Sequence, residues 1–455
     1  MDSYEIVILG AGISGMSTAA FLQSKGKKPL ILEKRDKVGG VLSSKEIDGY
    51  TFDFAANSTV EKYESFFKLI QWAGIEKDLL IANRNASKKY LYRDHQIHAL
   101  DGPLSYIFTK LLSFRTKLRV LKEPFIAARQ SGEDESMADF VKRRFGQEFL
   151  DYTLNPLVAG VYAGDPKDLS MQAAYPNMAE METKHGSVIM GSYHTLKENK
   201  KAYKKGKYRP SRNIMSFKRG LNQIPRGIAK KISPQLFLKS EVLEIIPIDG
   251  KYQIKYMKEG KEFSLIAEKI ISTLPAYVLS SLMKDIDKNL STELSKIYYP
   301  PVGTLNLGFH KEQIGKDLDS FGFLVPEKGN LNFLGALWSS TIFDNRAPKD
   351  HASFTLYLGG SRNREILQSD LKKWVSIATK QFSEIMEIEG EPKTKCFKLY
   401  EKAIPQYNLG YMNFKKYLDR FHETNNNFII SGNFIGGNSI SDCINNAEIN
   451  ANKMI

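Results

Sequence analysis

The sequence predicts an α/β fold in which a Rossmann-like nucleotide-binding domain is interleaved with a mixed-sheet domain and a helical domain. Three observations carry this prediction. Residues 4–9 (YEIVIL) are an apolar, β-branched run that is typical of a buried parallel strand. A glycine-rich stretch at 10–15 (GAGISG) follows directly, and residues 16–23 have a helical pattern. A second strand over 29–32 ends at Glu33.

Each glycine of this stretch has a separate role. Gly10 permits the tight turn, Gly12 lets backbone N–H groups approach a pyrophosphate, and Gly15 lets helix and strand pack closely. The helix N-terminus adds partial positive charge for the phosphates. Glu33 lies 33 − 10 = 23 residues after Gly10, where an acid hydrogen-bonds a ribose hydroxyl of an adenine dinucleotide. Lys34 is interpreted as solvated, because the carboxylate before it would repel a 2′-phosphate.

A second glycine pair, Gly39-Gly40, decides between two classes of dinucleotide. In FAD enzymes of the amine-oxidase and glutathione-reductase kind, a pair in this position lets the chain pass close to the cofactor. Nicotinamide dehydrogenases have no need of it, so the pair favours FAD, with a simple loop as the alternative. Many relatives carry Arg where this chain has Val41, so one pyrophosphate contact is expected to be missing.

The C-terminal segment predicts a return to the same site. Residues 427–431 (NFIIS) form a strand, 432–437 a glycine-rich turn, and 445–454 a helix. A strand, turn and helix N-terminus in this order make an anion or carbonyl site. A terminal segment that completes the first domain's cofactor site is characteristic of FAD oxidases. Asp442 either caps the helix or orients the ribityl chain of the flavin.

Composition narrows the class of protein. A chain of 455 residues predicts two or three domains with substantial cores. Two cysteines and seven scattered histidines give no metal-ligand spacing, so no metal is expected, and the cysteine usage suits a reducing compartment. We expect no cleavable signal and no membrane-spanning segment. The net charge of +14 indicates attraction to an acidic partner.

Further elements follow from periodicity. We predict a helix over 58–74 that Gly74 ends, and a helix capped by Ser136 that runs to Arg144. Residues 104–130 alternate apolar and basic side chains at helical spacing, and 195–212 form a basic hairpin or loop. A last helix is predicted over 371–388. Strands are predicted at 90–93, 96–99, 236–248, 252–257, 263–273, 303–309, 322–326, 331–338 and 354–358.

One segment carries a specific resemblance. Residues 155–171 (NPLVAGVYAGDPKDLSM) closely resemble the GVYAGDP…LS signature of the oxygen-dependent protoporphyrinogen oxidase and coproporphyrinogen III oxidase family, FAD flavoproteins of the amine-oxidase-like superfamily. Supporting matches run the length of the chain: YPPV at 299–302, GFLVP at 322–326, SSTIFDNRAP at 339–348, AIPQY at 403–407 and SISDCI at 439–444.

The resemblance implies a domain layout and a set of cofactor contacts. It implies an FAD-binding domain in three parts (1–85, 216–295 and 411–455), substrate strands plus a helical membrane-binding domain (86–215), and a substrate-binding domain (296–410). Relatives usually have Gly-Pro where this chain has Ala55-Ala56, which puts the tightness of that loop in question. The implied FAD contacts are Gly10, Gly12, Ile13, Ser14, Gly15, Glu33, Lys34, Gly40, Val41, Ala55, Ala56, Asn57, Ser58, Val242, Ile440, Ser441 and Asp442.

The implied chemistry is a six-electron oxidation of protoporphyrinogen IX to protoporphyrin IX. It proceeds as three hydride transfers to FAD, with oxygen as acceptor and hydrogen peroxide as product, and it requires no acid–base pair or metal. By resemblance, Phe343 stacks on a pyrrole ring, Leu324 sandwiches the macrocycle and Gly160 lines the pocket. For Phe343 and Leu324, an ordinary core position is the alternative. His98, with Arg93 nearby, is expected to hold the propionates.

Several alternatives stay open. Formation of coproporphyrin III by a coproporphyrinogen III oxidase shares every motif named above. A carotenoid desaturase or isomerase would share the FAD motifs but lack GVYAGDP, and a non-enzymatic FAD scaffold is a further option. We expect a cytoplasmic protein peripheral to an anionic membrane surface, with buried helices and a solvated basic loop as the alternative. Nucleic acid is not expected, and the sequence leaves a homodimer open.

Overall fold

The computed structural model describes residues 2–86, 88–99, 111–129, 133–232, 235–365 and 370–455. In this part of the chain, two seven-stranded sheets carry most of the strands, and two smaller sheets accompany them. Both large sheets contain parallel and antiparallel neighbours, and helices surround them. The predicted α/β class is therefore confirmed.

The first large sheet, called sheet A, joins strands from the beginning, middle and end of the chain. Its order is Leu236–Phe237, Leu30–Leu32, Asp2–Leu9, Lys261–Ser272, Lys251–Lys258 and Ser240–Ile248, with Phe428–Ile430 also paired to Lys261–Ser272. The pairings that involve Lys251–Lys258 are antiparallel, and all the others are parallel. Parallel strands end at one edge of the sheet, so the N-terminal and C-terminal segments reach the same place.

The strand Asp2–Leu9 shows why sheet A is buried on both faces. Side chains alternate across a strand, so Ile6 and Ile8 enter one apolar cluster while Val7 and Leu9 enter another. None of the four is more than 1% exposed. Helices Ile13–Gln23, Glu64–Ala73, Gln223–Ile232 and Ile440–Lys453 cover the first face. Helices Ala276–Leu282, Lys288–Ser295 and Tyr411–Thr424 cover the second.

The second large sheet, called sheet B, forms a separate layer. Its order is Thr394–Tyr400, Val302–His310, His351–Gly359, Gly335–Leu337, Ser320–Leu324, Lys88–Arg93 and Gln96–Ala99. It is mixed because Ser320–Leu324 runs parallel to Lys88–Arg93 while the other pairs are antiparallel. One face packs on helix Leu371–Met386. The predicted hairpin of 90–93 and 96–99 is confirmed.

Two small sheets lie beside the cofactor-binding motifs. One pairs Ser44–Ile47 with Tyr50–Asp53. The other places Ile214–Phe217 between Thr59–Val60 and Leu79–Ile81.

A helical layer fills the described residues between 111 and 204. Its helices are Phe114–Leu121, Met137–Phe145, Gln147–Phe149, Asn155–Tyr162, Met171–Ala174, Pro176–His185 and Val188–Lys204, with a π-helical turn at Leu150–Leu154. Outside this layer, a short helix, Ser339–Ile342, connects the strands Gly335–Leu337 and His351–Gly359 of sheet B. As predicted, Ser136 caps a helix, because its hydroxyl accepts a hydrogen bond from the Asp139 N–H at 3.0 Å. Among the described residues, none of the helices combines the length and apolar character needed to cross a bilayer.

Several predicted boundaries were wrong. The helix predicted over 58–74 begins only at Glu64, because Thr59–Val60 pairs as a strand with Ile214–Met215. Its predicted end is confirmed, since Gly74 adopts the left-handed conformation (φ 72°). The C-terminal helix starts at Ile440 rather than 445, and the N-terminal helix at Ile13 rather than 16.

The basic stretch 195–212 was also misassigned. Residues up to Lys204 belong to helix Val188–Lys204, and only the remainder is a loop. The Ser187 hydroxyl and the Glu123 carboxylate accept hydrogen bonds from backbone N–H groups at the N-terminus of this helix. These contacts stabilise as a helix a segment that its basic charge had indicated to be a loop. Of the predicted 104–130 helical region, Phe114–Leu121 is helical, whereas 104–110 and 130 lie outside the described residues.

Candidate functional site

The glycine loop, residues 10–15, lies where the first strand of sheet A meets helix Ile13–Gln23. Gly10 has a φ of 96°, a conformation that L side chains rarely adopt. A Cβ on Gly15 would lie 2.0 Å from the Gly10 carbonyl oxygen and 2.8 Å from the Thr273 hydroxyl, so only glycine allows this packing. A Cβ on Gly12 would meet nothing within 4 Å. The space beside Gly12 is thus open, and the pyrophosphate contact expected at this position stays a prediction.

Glu33 sits at the end of the second strand and faces the glycine loop. Its Oε2 accepts a hydrogen bond from the Ala11 N–H at 2.7 Å, and its Oε1 accepts one from the Arg35 N–H at 2.9 Å. The side chain of Lys34 points away to a surface ion pair with Glu241 at 2.7 Å, which agrees with the interpretation of Lys34 as solvated. The Ser240 N–H donates to the Glu33 carbonyl at 2.8 Å, and Val242 follows two residues later and is partly buried. The structure therefore places the Glu33 side chain at the glycine loop and Val242 close to the Glu33 backbone, whereas the Lys34 side chain lies at the surface.

The second glycine pair packs against the first loop. The Gly39 N–H donates to the Ala11 carbonyl at 2.8 Å, and a Cβ on Gly40 would lie 3.2 Å from the Gly12 Cα. Val41 is 39% exposed, and its carbonyl accepts a hydrogen bond from the Tyr400 hydroxyl at 2.9 Å. Gly40 and Gly12 thus bring two chain segments close together. Because neither residue has a side chain, backbone borders the open space beside Gly12.

The loop 55–58 is held by hydrogen bonds from two other segments. The Tyr357 hydroxyl donates to the Ala55 carbonyl at 3.1 Å, and the Ser216 hydroxyl donates to the Asn57 carbonyl at 2.9 Å. Ala56 is exposed and Ser58 is partly buried. The side-chain amide nitrogen of Asn57 is buried and has no hydrogen-bond partner in the described structure, so it is a donor available to a bound acceptor.

The C-terminal helix Ile440–Lys453 begins close to this loop. Ser439 is its N-cap, because the Ser439 hydroxyl accepts from the Asp442 N–H at 3.1 Å; the interpretation of Asp442 as the cap was therefore wrong. The Asp442 carboxylate instead accepts from the Lys62 ammonium at 3.0 Å and the Tyr63 hydroxyl at 3.1 Å. The Ser441 and Thr59 hydroxyls lie 3.0 Å apart.

Neighbouring residues fix the first turn of this helix. Ile440 is buried against the same apolar cluster as the N-terminal helix. Cys443 is fully enclosed, and although a hydrogen bond with Ser14 opposes the shift, burial raises the pKa of its thiol to about 11. The two ends of the chain thus meet at one edge of sheet A, where parallel strands of open α/β sheets bind nucleotides. The open Gly12, the acidic Glu33 and the unpaired Asn57 amide fit an adenine dinucleotide.

A second group of residues lies between sheet B and the helical layer. Helix Asn155–Tyr162 crosses the end of strand Ser320–Leu324, and a Cβ on Gly160 would lie 2.6 Å from the Leu324 side chain. Across the sheet, Leu324 pairs with Leu91, and Leu91 with His98, which places these three side chains on one face. The exposed side of the helix is apolar, with Leu157 and Val161 41% and 44% accessible.

Arg93 lies on the same face but is engaged by several partners. Its guanidinium is 3.2 Å from the Glu148 carboxylate and 4.0 Å from the centroid of the Tyr152 ring. It also donates to the Leu111 carbonyl. The His98 ring lies 3.2 Å from the Arg93 carbonyl. The structure therefore brings Gly160, Leu324, His98 and Arg93 to one region, with Arg93 partly neutralised by Glu148.

Phe343 lies on a neighbouring loop and is 1% exposed. It packs with Ala86 and Ile342, and the Arg346 guanidinium lies 5.6 Å from the centroid of its ring. Sequence reasoning missed Arg346 and its partner Asp53, although Arg346 belongs to the SSTIFDNRAP segment. It also missed Thr273, the last residue of the strand predicted over 263–273. The Thr273 hydroxyl donates to the carbonyls of Leu9 and Gly10.

Comparison with known proteins agrees with this arrangement. A model of the flavin containing amine oxidoreductase family matches residues 13–451. A protoporphyrinogen oxidase of Arabidopsis thaliana is 29% identical, with 96% of this chain and 91% of that protein covered. Coproporphyrinogen III oxidase of Bacillus subtilis is 23% identical, with 97% and 96% covered. A crystal structure from Exiguobacterium sp. 255-15, provisionally named a protoporphyrinogen oxidase, superposes with a TM-score of 0.81 at 20% identity, over 99% of this chain and 98% of that one.

Proposed function

The chain belongs to the family of flavin containing amine oxidoreductases, with FAD as its cofactor, and on this premise we propose that it oxidises protoporphyrinogen IX to protoporphyrin IX. The reaction removes six electrons and six protons in three two-electron steps. Bound FAD would accept a hydride in each step and pass two electrons to oxygen, so that three molecules of oxygen yield three of hydrogen peroxide.

One observation carries the choice of substrate. The segment NPLVAGVYAGDP forms the helix that packs Gly160 onto Leu324, and its outer side presents Leu157 and Val161. This side of the helix is apolar, which suits a large apolar macrocycle whose oxidation needs orientation and exclusion of water. Phe343 is proposed to stack on a pyrrole ring from the adjacent loop.

The residues that hold FAD are also a proposal. The loop at Gly12 would receive the pyrophosphate on backbone N–H groups, and Glu33 would bind the adenosine ribose. The Asn57 amide is a buried donor available to an acceptor on the flavin ring. Ile440 and Ser441, at the N-terminus of the C-terminal helix, add partial positive charge at the same end.

The propionates of the substrate need a cation at the edge of the pocket. We assign this role to His98, with Arg93 next to it on the same sheet face. Arg93 already shares its charge with Glu148, so a propionate would have to compete with that carboxylate. A second candidate function is oxidation of coproporphyrinogen III, favoured by the match to the Bacillus subtilis protein along nearly its whole length. Its substrate carries four carboxylates instead of two.

The decisive experiment uses the purified yellow protein with each porphyrinogen, with and without oxygen. Fluorescence of the aromatic porphyrin would appear with protoporphyrinogen IX and oxygen, together with three equivalents of hydrogen peroxide. Faster turnover of coproporphyrinogen III would select the second candidate. Failure to oxidise either compound, in a preparation that holds FAD, would reject both.

We further propose that the helical layer contacts an anionic membrane surface. Helix Phe114–Leu121 and the turn after it leave apolar side chains exposed, and the first turns of helix Val188–Lys204 do the same beside them. Glu123 joins the two segments, since its carboxylate accepts from the Val188 N–H at 2.9 Å. The exposed apolar residues are Phe114, Leu118, Leu121, Phe125, Ile189, Met190, Tyr193 and Leu196. Arg and Lys side chains on both helices would meet acidic headgroups.

A further inference from the structure

A buried ion pair lies between the proposed cofactor and substrate sites. The Arg346 guanidinium is 3.2 Å from the Asp53 carboxylate, and the two side chains are 1% and 3% exposed. Asp53 ends the strand Tyr50–Asp53 that leads into loop 55–58, whereas Arg346 follows Phe343 by three residues. The pair therefore connects loop 55–58, which is proposed to contact FAD, with the loop of Phe343, which is proposed to contact the substrate.

On the substrate side, Arg346 contacts the Phe343 ring directly. The carbon of its guanidinium lies 5.6 Å from the ring centroid, within the range of a cation–π interaction. Phe343 otherwise belongs to a cluster of apolar side chains that includes Ala86, Ile342 and Phe321. Arg346 thus places a cation against one side of this otherwise apolar environment.

On the cofactor side, Arg346 acts through a serine. Its Nη2 donates to the Ser216 hydroxyl at 2.6 Å, and that hydroxyl donates its own proton to the Asn57 carbonyl at 2.9 Å. One hydroxyl accepts and donates at the same time, so the direction of the relay is fixed. The backbone of loop 55–58 is therefore held by the same guanidinium that holds Phe343.

The Asp53 carboxylate is also fixed by neighbouring residues. Its other carboxylate oxygen accepts from the Ser44 hydroxyl, and a Cβ on Gly220 would lie 2.4 Å from that oxygen. Burial raises the pKa of Asp53 and lowers that of Arg346, while the opposite charge of each partner opposes the shift. Two apolar residues of similar volume would fill this space without the cost of desolvating charges, so packing alone does not explain the pair.

We propose that Arg346, held by Asp53, is a positioning residue for the oxidation: it sets the Phe343 ring and, through Ser216, the cofactor loop at Asn57 in one fixed arrangement. This inference rests on the proposed function. A planar guanidinium suits the role because its N–H groups diverge in a rigid fork, whereas an ammonium has no fixed plane. Misplacing a reacting partner by about 1 Å costs on the order of 100-fold in rate.

A double-mutant cycle on the holoenzyme tests the proposal. Ser216→Ala removes only the relay hydroxyl, and Arg346→Lys keeps the charge but loses the fork. Each would lower kcat by about tenfold or more. In a Phe343→Leu background part of the Arg346→Lys loss would vanish, because the ring whose place Arg346 sets is gone, whereas the Ser216→Ala loss would remain, because Ser216 acts on loop 55–58. Arg144→Lys is the matched control, since Arg144 forms an equally buried ion pair with Glu123 far from the loops.

Two further readouts separate positioning from folding. Visible circular dichroism of bound FAD would change in Ser216→Ala and Arg346→Lys but not in Arg144→Lys, which would lower only the midpoint of thermal unfolding. An Arg346→Lys loss that adds fully to that of Phe343→Leu, an unchanged kcat in Ser216→Ala, or loss of FAD from that variant would each overturn the positioning role. Inactivity of the unaltered protein towards both porphyrinogens would instead reject the proposed function, while the flavin spectrum still reports on the loop.

Discussion

The Asp442 carboxylate and the Lys62 ammonium form an ion pair of 3.0 Å between residues 380 positions apart in the sequence. The Asp442 side chain is 11% exposed and also accepts from Tyr63. Burial and the nearby carboxylate together raise the pKa of Tyr63 to about 12. This contact fastens the first turn of the C-terminal helix to the segment that follows loop 55–58.

Replacing Asp442 with Asn is expected to loosen that junction. The loss of charge-assisted hydrogen bonds would lower the free energy of unfolding by about 1–3 kcal/mol and weaken retention of FAD. Thermal unfolding and the FAD content after dialysis measure the two effects. Glu448→Gln, which breaks the more exposed pair of the same helix with Lys68, should change both much less; equal effects in the two variants would contradict the prediction.

Alanine substitutions at two glycines of the glycine loop are expected to affect different properties, stability in one case and FAD affinity in the other. Gly15→Ala forces a methyl group into the Gly10 carbonyl, so the protein without cofactor should lose about 1–3 kcal/mol or more of stability. Gly12→Ala has room for its methyl group and should leave stability nearly unchanged while lowering FAD affinity. Urea unfolding without FAD and titration with FAD separate these outcomes. A stable Gly15→Ala variant would refute the packing argument.

Phe343→Ala should reduce turnover without releasing FAD. The cavity left in the core would cost about 3–5 kcal/mol of stability, so a control of equal cost is needed. Phe309→Ala provides it, because Phe309 is also fully buried but lies in the core of sheet B away from the loop. We expect kcat/KM to fall at least about tenfold more in Phe343→Ala than in Phe309→Ala. A colourless Phe343→Ala preparation would count against a stacking role.

Membrane contact should depend on the exposed apolar side chains of the helical layer. Phe125 is 87% and Leu121 62% exposed, so their replacement by Asp should weaken binding to anionic vesicles about 10–100-fold. Flotation with phosphatidylserine vesicles at low and high salt measures this. Ile248→Asp, at an exposed position on sheet A, is the control. Absence of salt-sensitive binding by the unaltered protein would dismiss the membrane proposal.

Low pH is expected to weaken the contact between Arg93 and Glu148, which joins sheet B to the helical layer. Partial burial raises the pKa of Glu148, but hydrogen bonds from Ser113, Thr116 and Arg93 outweigh it and lower the pKa to about 2. A carboxyl with a depressed folded-state pKa stabilises the fold above its unfolded pKa of about 4.5, and that contribution disappears as pH falls towards 2.

Glu148→Gln should therefore be less stable than the parent at pH 7, by on the order of 1 kcal/mol after allowance for solvent screening. The difference should shrink as the pH drops below about 4.5. Unfolding midpoints at pH 7 and pH 3 measure it. Glu133→Gln, which removes a highly exposed carboxyl paired with Arg129, should show no such trend; a pH-independent deficit in Glu148→Gln would contradict the assignment.

Local features of the sequence were sufficient for the nucleotide-binding motif. The unbroken apolar run that includes Ile6 and Val7 predicts a strand buried on both faces, and Gly15 can only be glycine because of a contact five residues away. The Ser136 cap and the Gly74 stop likewise depend on hydrogen bonds or dihedral angles within a single turn. Such features are readable because their physical cause lies within a few residues.

Tertiary structure decided what depends on distant partners. Thr59–Val60 is a strand only because Ile214–Met215 pairs with it, and helix Val188–Lys204 forms where Glu123 binds its N-terminus. The sequence alone allowed Asp442 to be a helix cap, whereas in the structure its carboxylate pairs with Lys62. The ion pair of Asp53 and Arg346 likewise exists only in the folded chain. A buried charge or an edge strand is stabilised by whatever the fold brings to it, and the sequence alone does not specify that neighbour.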